Sequence, residues 1–148
     1  MDSGSIDDIQ EVWTKEFSAL TTNNTLLNEE IQTGRYDSLI READQMLDQS
    51  SDLSEKEKIL EIAFILNAYH GLRLVEKFDS YVSVEEHTDL AWDVKAAVEY
   101  ARRYHAICPE RFYVKIPFTP AGLLATRQLP EKVLPSTILW VSLHVRTI

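Results

Sequence analysis

The feature that most constrains this chain is an alternation of short apolar runs with longer segments of helical period. Ile6, Ile9, Val12 and Trp13 share one face of a helix expected over residues 6–16. Phe17 to Thr22 reads as a brief strand, followed by helices from Leu26 to Gln32 and from Tyr36 to about Gln49, with Thr33-Gly34 as punctuation. Ser54-Glu55-Lys56-Glu57 is a capping box, and Ile59, Ile62, Ala63, Leu66, Tyr69 and Leu74 continue behind it at helical spacing. Tyr81 to Glu85 is a second strand, and a helix from about Asp89 to Ile107 is closed by Cys108-Pro109. Phe112 to Ile116 is a third strand, ended by Pro117, and a helix over Pro120 to Leu129 follows. Strands alternating with helices imply parallel βα units, in an open doubly wound sheet or a barrel.

Side chains alternate along a strand, so each run divides into two faces. Phe112, Val114 and Ile116 share one face and Tyr113 and Lys115 the other. Val82 and Val84 oppose Tyr81, Ser83 and Glu85; Leu20 opposes Ala19, Thr21 and Asn23. An open sheet covered by helices on both sides needs two apolar faces, whereas a barrel turns one of them into its lumen. Barrel sites gather at the C-terminal ends of the strands, and Asn23, Glu85 and Lys115 occupy that position. Each also has an ordinary reading: a solvated edge lysine, a strand-end ion-pair partner, and a turn or helix cap at Asn23-Asn24. Their convergence on the inner parity favours a site.

Composition removes several classes of function. A formal net charge of -9 argues against nucleic acid or an anionic membrane as partner, and no apolar run approaches membrane-spanning length. Four scattered histidines and a lone Cys108 make neither a zinc site nor a disulfide framework, so no metal is expected. The four glycines stand singly, which leaves no phosphate-cradling loop. The acidic N-terminus lacks a basic segment followed by an apolar one, and the expected compartment is the cytoplasm. Trp13, Trp92 and Tyr69 read as core or helix-packing residues.

Phe112-Tyr113-Val114-Lys115-Ile116-Pro117-Phe118-Thr119-Pro120-Ala121-Gly122 resembles the Schiff-base strand of the transaldolase family, an aliphatic run leading into Lys-Ile-Pro, a Thr and a small helix start with Gly. Thr21-Thr22-Asn23-Asn24-Thr25 is similar to that family's Thr-Thr/Ser-Asn-Pro turn after its second strand, with Asn24 where proline is usual. Val82-Ser83-Val84-Glu85 resembles the third strand, with its catalytic glutamate, and Asp2-Ser3 stands near the first-strand Asp-Ser/Thr. The resemblance spans most of residues 2–129 and implies about the first four βα units of a (β/α)8 TIM barrel, an α/β fold, with the first strand mostly missing.

The implied activity is transfer of a dihydroxyacetone unit between sugar phosphates, in the pentose phosphate pathway, with no cofactor. By resemblance, Lys115 is the nucleophile, Glu85 shuttles protons through a water, and Asp2 accepts the C4 hydroxyl proton. Asn23, with Thr22 beside it, binds the dihydroxyacetone unit. Two other outcomes stay open: release of free dihydroxyacetone, as in a fructose-6-phosphate aldolase, and a non-catalytic fragment acting by assembly.

A whole barrel takes roughly 200 residues or more, and the family's later strands have no counterpart here. Residues 130–148 match nothing expected in that frame and form an atypical tail, expected to be frameshifted or disordered. One allowed choice of codons for Trp140 to Ile148, read in a shifted frame, spells Gly-Phe-Ser-Pro-Arg-Gln-Asn-Tyr, similar to the family's segment after strand five. The start is expected to be late as well. A part-barrel exposes strand edges, so self-association and little or no turnover are expected of the isolated chain.

Overall fold

The computed structural model describes residues 5–50, 52–130, 133 and 137–140. Its strands are β1 (Ala19–Thr21), β2 (Tyr81–Glu85), β3 (Phe112–Pro117) and β4 (Thr137–Trp140), with α1 (Ile6–Val12) ahead of them. Helices α2 (Asn24–Gln32), α3 (Asp37–Ser50) and α4 (Glu55–Phe78) lie between β1 and β2, α5 (Val94–Ile107) between β2 and β3, and α6 (Pro120–Gln128) between β3 and β4.

All neighbouring strands pair in parallel and in chain order, β1-β2-β3-β4. A doubly wound sheet reverses its strand order at a switch point. This sheet does not reverse within its described strands, and so progresses as the wall of a barrel does. The architecture is mixed α/β, with a small parallel sheet like a segment of a TIM barrel.

The outward parity carries the core. Leu20, Val82, Val84, Phe112, Val114 and Ile116 are all buried, against Phe64, Leu74, Ala97, Ala101 and Tyr104 of α4 and α5. Each buried Val, Leu, Ile or Phe among them contributes roughly 1.5–3 kcal/mol of transfer free energy. Two glycines permit close approach. A Cβ on Gly71 would come within 2.9 Å of Val84 and Phe112 side-chain atoms, so α4 lies tight on the sheet. At Gly122 a Cβ would meet the Pro117 carbonyl at 2.0 Å, which no side chain permits. A second cluster of Leu27, Tyr36 and Leu66 fastens α2 and α3 to α4.

The capping box is present: the Ser54 hydroxyl accepts from the Glu57 N–H, and the Glu57 carboxylate accepts from the Ser54 N–H at 2.9 Å. Other boundaries shift for local reasons. The first helix ends at Val12, because extended Trp13 leaves the helix and packs on Phe17 and Phe78 at ring distances of 5.6 and 5.0 Å. The helix expected from Asp89 is a 3-10 turn (Thr88–Leu90) followed by α5, whose true cap is Asp93 accepting from Ala96 N–H. That cap leaves Trp92 in the turn ahead of the helix, 75% exposed rather than packed in the core. β4 falls within the stretch read from the sequence as an atypical tail, and it pairs in parallel with β3. Among the described residues no helix is long and apolar enough to cross a membrane.

Candidate functional site

Glu85 and Lys115 are register partners across β2 and β3, on the inner parity near the strands' C-terminal ends. Side by side on adjacent strands, they converge at the end of β1. The Lys115 Nζ, in a residue only 1% exposed, donates to the Thr22 carbonyl at 2.8 Å and stands 3.8 Å from Glu85 Oε1. Glu85 Oε2 in turn accepts the Asn24 backbone N–H at 2.8 Å. That N–H belongs to the first residue of α2, where helix geometry offers no internal acceptor and the dipole favours a carboxylate. A proline at position 24 would have no N–H to give.

The remaining sequence candidates divide. Thr22 lies on the outward parity, and its hydroxyl is committed to other partners, donating to Asn67 Oδ1 at 3.2 Å and accepting the Glu85 N–H at 3.2 Å. Its carbonyl, not its side chain, meets the lysine. Asn23 is the N-cap of α2: its Oδ1 accepts from the N–H groups of Thr25 at 2.8 Å and Leu26 at 3.4 Å. The cap reading of Asn23-Asn24 is therefore realised, and the Asn23 side-chain NH2 is the part left to donate elsewhere. Asp2 lies outside the described residues.

Sequence reasoning passed over two other residues. Asn67 of α4, 3% exposed, donates to the Asn24 Oδ1 at 3.0 Å and to the Glu85 carbonyl at 2.8 Å. An amide among Phe64, Leu66, Ala68 and Gly71 was the available signal, since a buried amide must find partners. Glu86 follows Glu85 and continues the alternation outward; its N–H donates to the Lys115 carbonyl at 3.1 Å. Its carboxyl is 0% exposed with no hydrogen-bond partner, and burial pushes it up to about 9. Nearby, burial and then Glu86 push the Tyr104 phenol up. Among the described residues no cluster of three or more His, Cys, Asp or Glu converges as a metal site would.

Chemically, this is an amine confined beside a carboxylate, with a backbone carbonyl as its resting acceptor. Such a pair can add nitrogen to a carbonyl and move the accompanying protons, once the amine exchanges the Thr22 oxygen for a substrate carbon.

A family model described as transaldolase/fructose-6-phosphate aldolase matches residues 1–136. Transaldolase 2 of Nostoc sp. (strain PCC 7120 / SAG 25.82 / UTEX 2576) is 43% identical over 72 residues. That match covers 45% of this chain and 19% of the Nostoc protein, so the aligned segment spans about a fifth of that relative.

Proposed function

Because this chain belongs to the transaldolase/fructose-6-phosphate aldolase family, we propose that it handles ketose phosphates through an imine on Lys115 and transfers a dihydroxyacetone unit to an aldose phosphate. The observation that carries this reading is the in-register pair, with the Lys115 amine 3.8 Å from Glu85 at the inner strand ends.

The amine adds to the ketose C2 carbonyl, and the carbinolamine then loses water as Glu85 relays the protons. The resulting iminium draws in the electron pair of the C3–C4 bond as that bond breaks. The C4 hydroxyl loses its proton to a base, which the family resemblance assigns to Asp2, and the aldose leaves. The enamine then attacks the acceptor aldehyde, and hydrolysis returns the free amine. In this reading the Asn23 NH2 donates to a hydroxyl of the dihydroxyacetone unit, and Thr22 contributes through its carbonyl. The wall would continue into an eight-stranded barrel, with cytoplasmic sugar phosphates of the pentose phosphate pathway as substrates.

Borohydride reduction in the presence of fructose 6-phosphate, followed by peptide mass spectrometry, tests the imine. Covalent label at Lys115 is expected; no label there defeats both enzyme readings and favours a fragment that acts by assembly. The family's own description covers an aldolase as well as a transaldolase. Dependence of cleavage on an added aldose phosphate separates transfer from release. We further propose that the reading frame shifts near residues 130–137, where the family match ends, and that the chain beyond leaves the family's pattern. The coding DNA tests that, and a long open frame lacking the shifted peptide defeats it. A coupled assay on monodisperse protein should find little turnover in the isolated chain.

A further inference from the structure

We infer that Asn67, on the buried face of α4, is a positioning residue for this site: its side-chain amide locks the ends of β1 and β2 so that the Thr22 carbonyl and the Glu85 carboxylate both face the Lys115 amine. The inference rests on the Schiff-base reading and brings a residue from an outer helix into it.

Each polar atom of the Asn67 side chain meets a strand end or the first residue of α2. Its oxygen accepts from the Thr22 hydroxyl, and its nitrogen donates to the Asn24 side-chain oxygen and to the Glu85 carbonyl. All three partners border a group of the site. Thr22 supplies the carbonyl that holds Lys115, Asn24 supplies the N–H that holds the Glu85 carboxylate, and Glu85 is itself the proton carrier. Two further bonds close the network: Glu85 N–H to the Thr22 hydroxyl, and the Asn24 side-chain nitrogen to the Glu86 carbonyl at 2.9 Å.

Geometry explains why a short amide reaches so far. Gly71 stands four residues along α4 on the same face, and the helix comes so close there that a Cβ would strike Val84 and Phe112. This approach carries the Asn67 amide to the backbone at the strand ends. Packing alone would be served by leucine, which has the same branching and no groups to satisfy. A fully partnered amide in this layer holds one arrangement, and losing it frees three polar partners at once.

The test compares the full chain with Asn67→Asp, which keeps size and the acceptor but loses both donors, and with Asn67→Leu, which keeps only the branched outline. Three quantities are read: circular dichroism, reductive methylation of Lys115 by formaldehyde and cyanoborohydride relative to exposed Lys56 and Lys95, and borohydride trapping of fructose 6-phosphate on Lys115. In folded variants, methylation of Lys115 should rise several-fold while the reference lysines stay unchanged. Sugar trapping should slow about tenfold or more, because misplacing reacting groups is costly. Lys115 rates equal to wild type in either folded variant would overturn the inference. If wild type forms no sugar imine, the Schiff-base reading fails by itself, and methylation still judges Asn67. Should both variants lose the fold, Thr22→Val and Asn24→Ala each remove one partner of the amide and are judged by the same readouts.

Discussion

Two neighbouring carboxyls at the C-terminal end of β2, one its last residue and the other the next, meet opposite surroundings because an extended chain sends successive side chains to opposite faces. Glu85, on the inner face, keeps part of its surface open, accepts a helix N-terminal N–H and stands beside an amine. Glu86, on the outer face, is fully buried near Tyr104 of α5 without a hydrogen-bond partner and is pushed up to about 9 by burial. Identical groups one residue apart thus become a candidate proton carrier and a buried neutral acid. A carboxyl near a strand end therefore indicates chemistry only when its parity is known.

The largest expected effect tests the inner face directly. Lys115→Met keeps the length and apolar stem of the side chain but removes the amine proposed as nucleophile, so sugar label on the trapped peptide should fall to background. Retained label would mean that another amine does the chemistry. The neighbouring carboxyls should then separate sharply: Glu85→Gln should slow imine formation by about 10²-fold, the lower end for loss of a general acid-base group. Glu86→Gln should leave the trapping rate near wild type, and an equal slowing would break the contrast between the faces.

Stability is where Glu86 should dominate. Its folded-state value lies above its unfolded one, so the native state holds a proton that the unfolded chain gives up above about pH 4.5. Stability from this group is complete below that pH and declines as pH rises toward about 9, by up to about 1.4 kcal/mol per pH unit. His70 acts in the opposite sense. Burial, and then Arg73, lower it to about 4, so its contribution is complete above about pH 6.5 and is lost as pH falls toward 4. Between these limits the two slopes oppose. Urea unfolding from pH 4 to 9 should therefore show a plateau near pH 4.5–6.5 and a decline above it. Glu86→Met should remove the decline and stabilise the chain at pH 8 by about 2–4 kcal/mol. An unchanged decline in that variant would mean that Glu86 is not buried as a neutral acid.

Much of this was legible in the sequence because strand parity and helix period are local geometry. Phe112, Val114 and Ile116 could be assigned to the core, and Lys115 and Glu85 to the other face, from alternation alone. Ser54 and Glu57 announced their helix start in the same way. Asn67 was not legible, since its three partners lie 45, 43 and 18 residues away along the chain and meet only when α4 settles on the sheet. Glu86 was missed because the strand was expected to stop at Glu85, although the next residue obeys the same alternation. Trp13 extended an apolar helical pattern that its own packing on Phe17 and Phe78 interrupts.

Asn23 belongs to both descriptions, and its two polar atoms allow them to be separated. The side-chain oxygen caps α2, while the nitrogen is the group proposed to reach a substrate hydroxyl. Asn23→Asp keeps an oxygen for the cap and deletes the NH2; Asn23→Ala deletes both. Asn23→Ala should therefore cost about 1 kcal/mol in urea unfolding, as loss of an N-cap does, whereas Asn23→Asp should stay near wild type. Both should raise the fructose 6-phosphate concentration giving half-maximal trapping by about three- to tenfold, the worth of one hydrogen bond. A stable Asn23→Asp chain with unchanged half-saturation would leave Asn23 as a helix cap alone, and the dihydroxyacetone unit would have to be held by other residues.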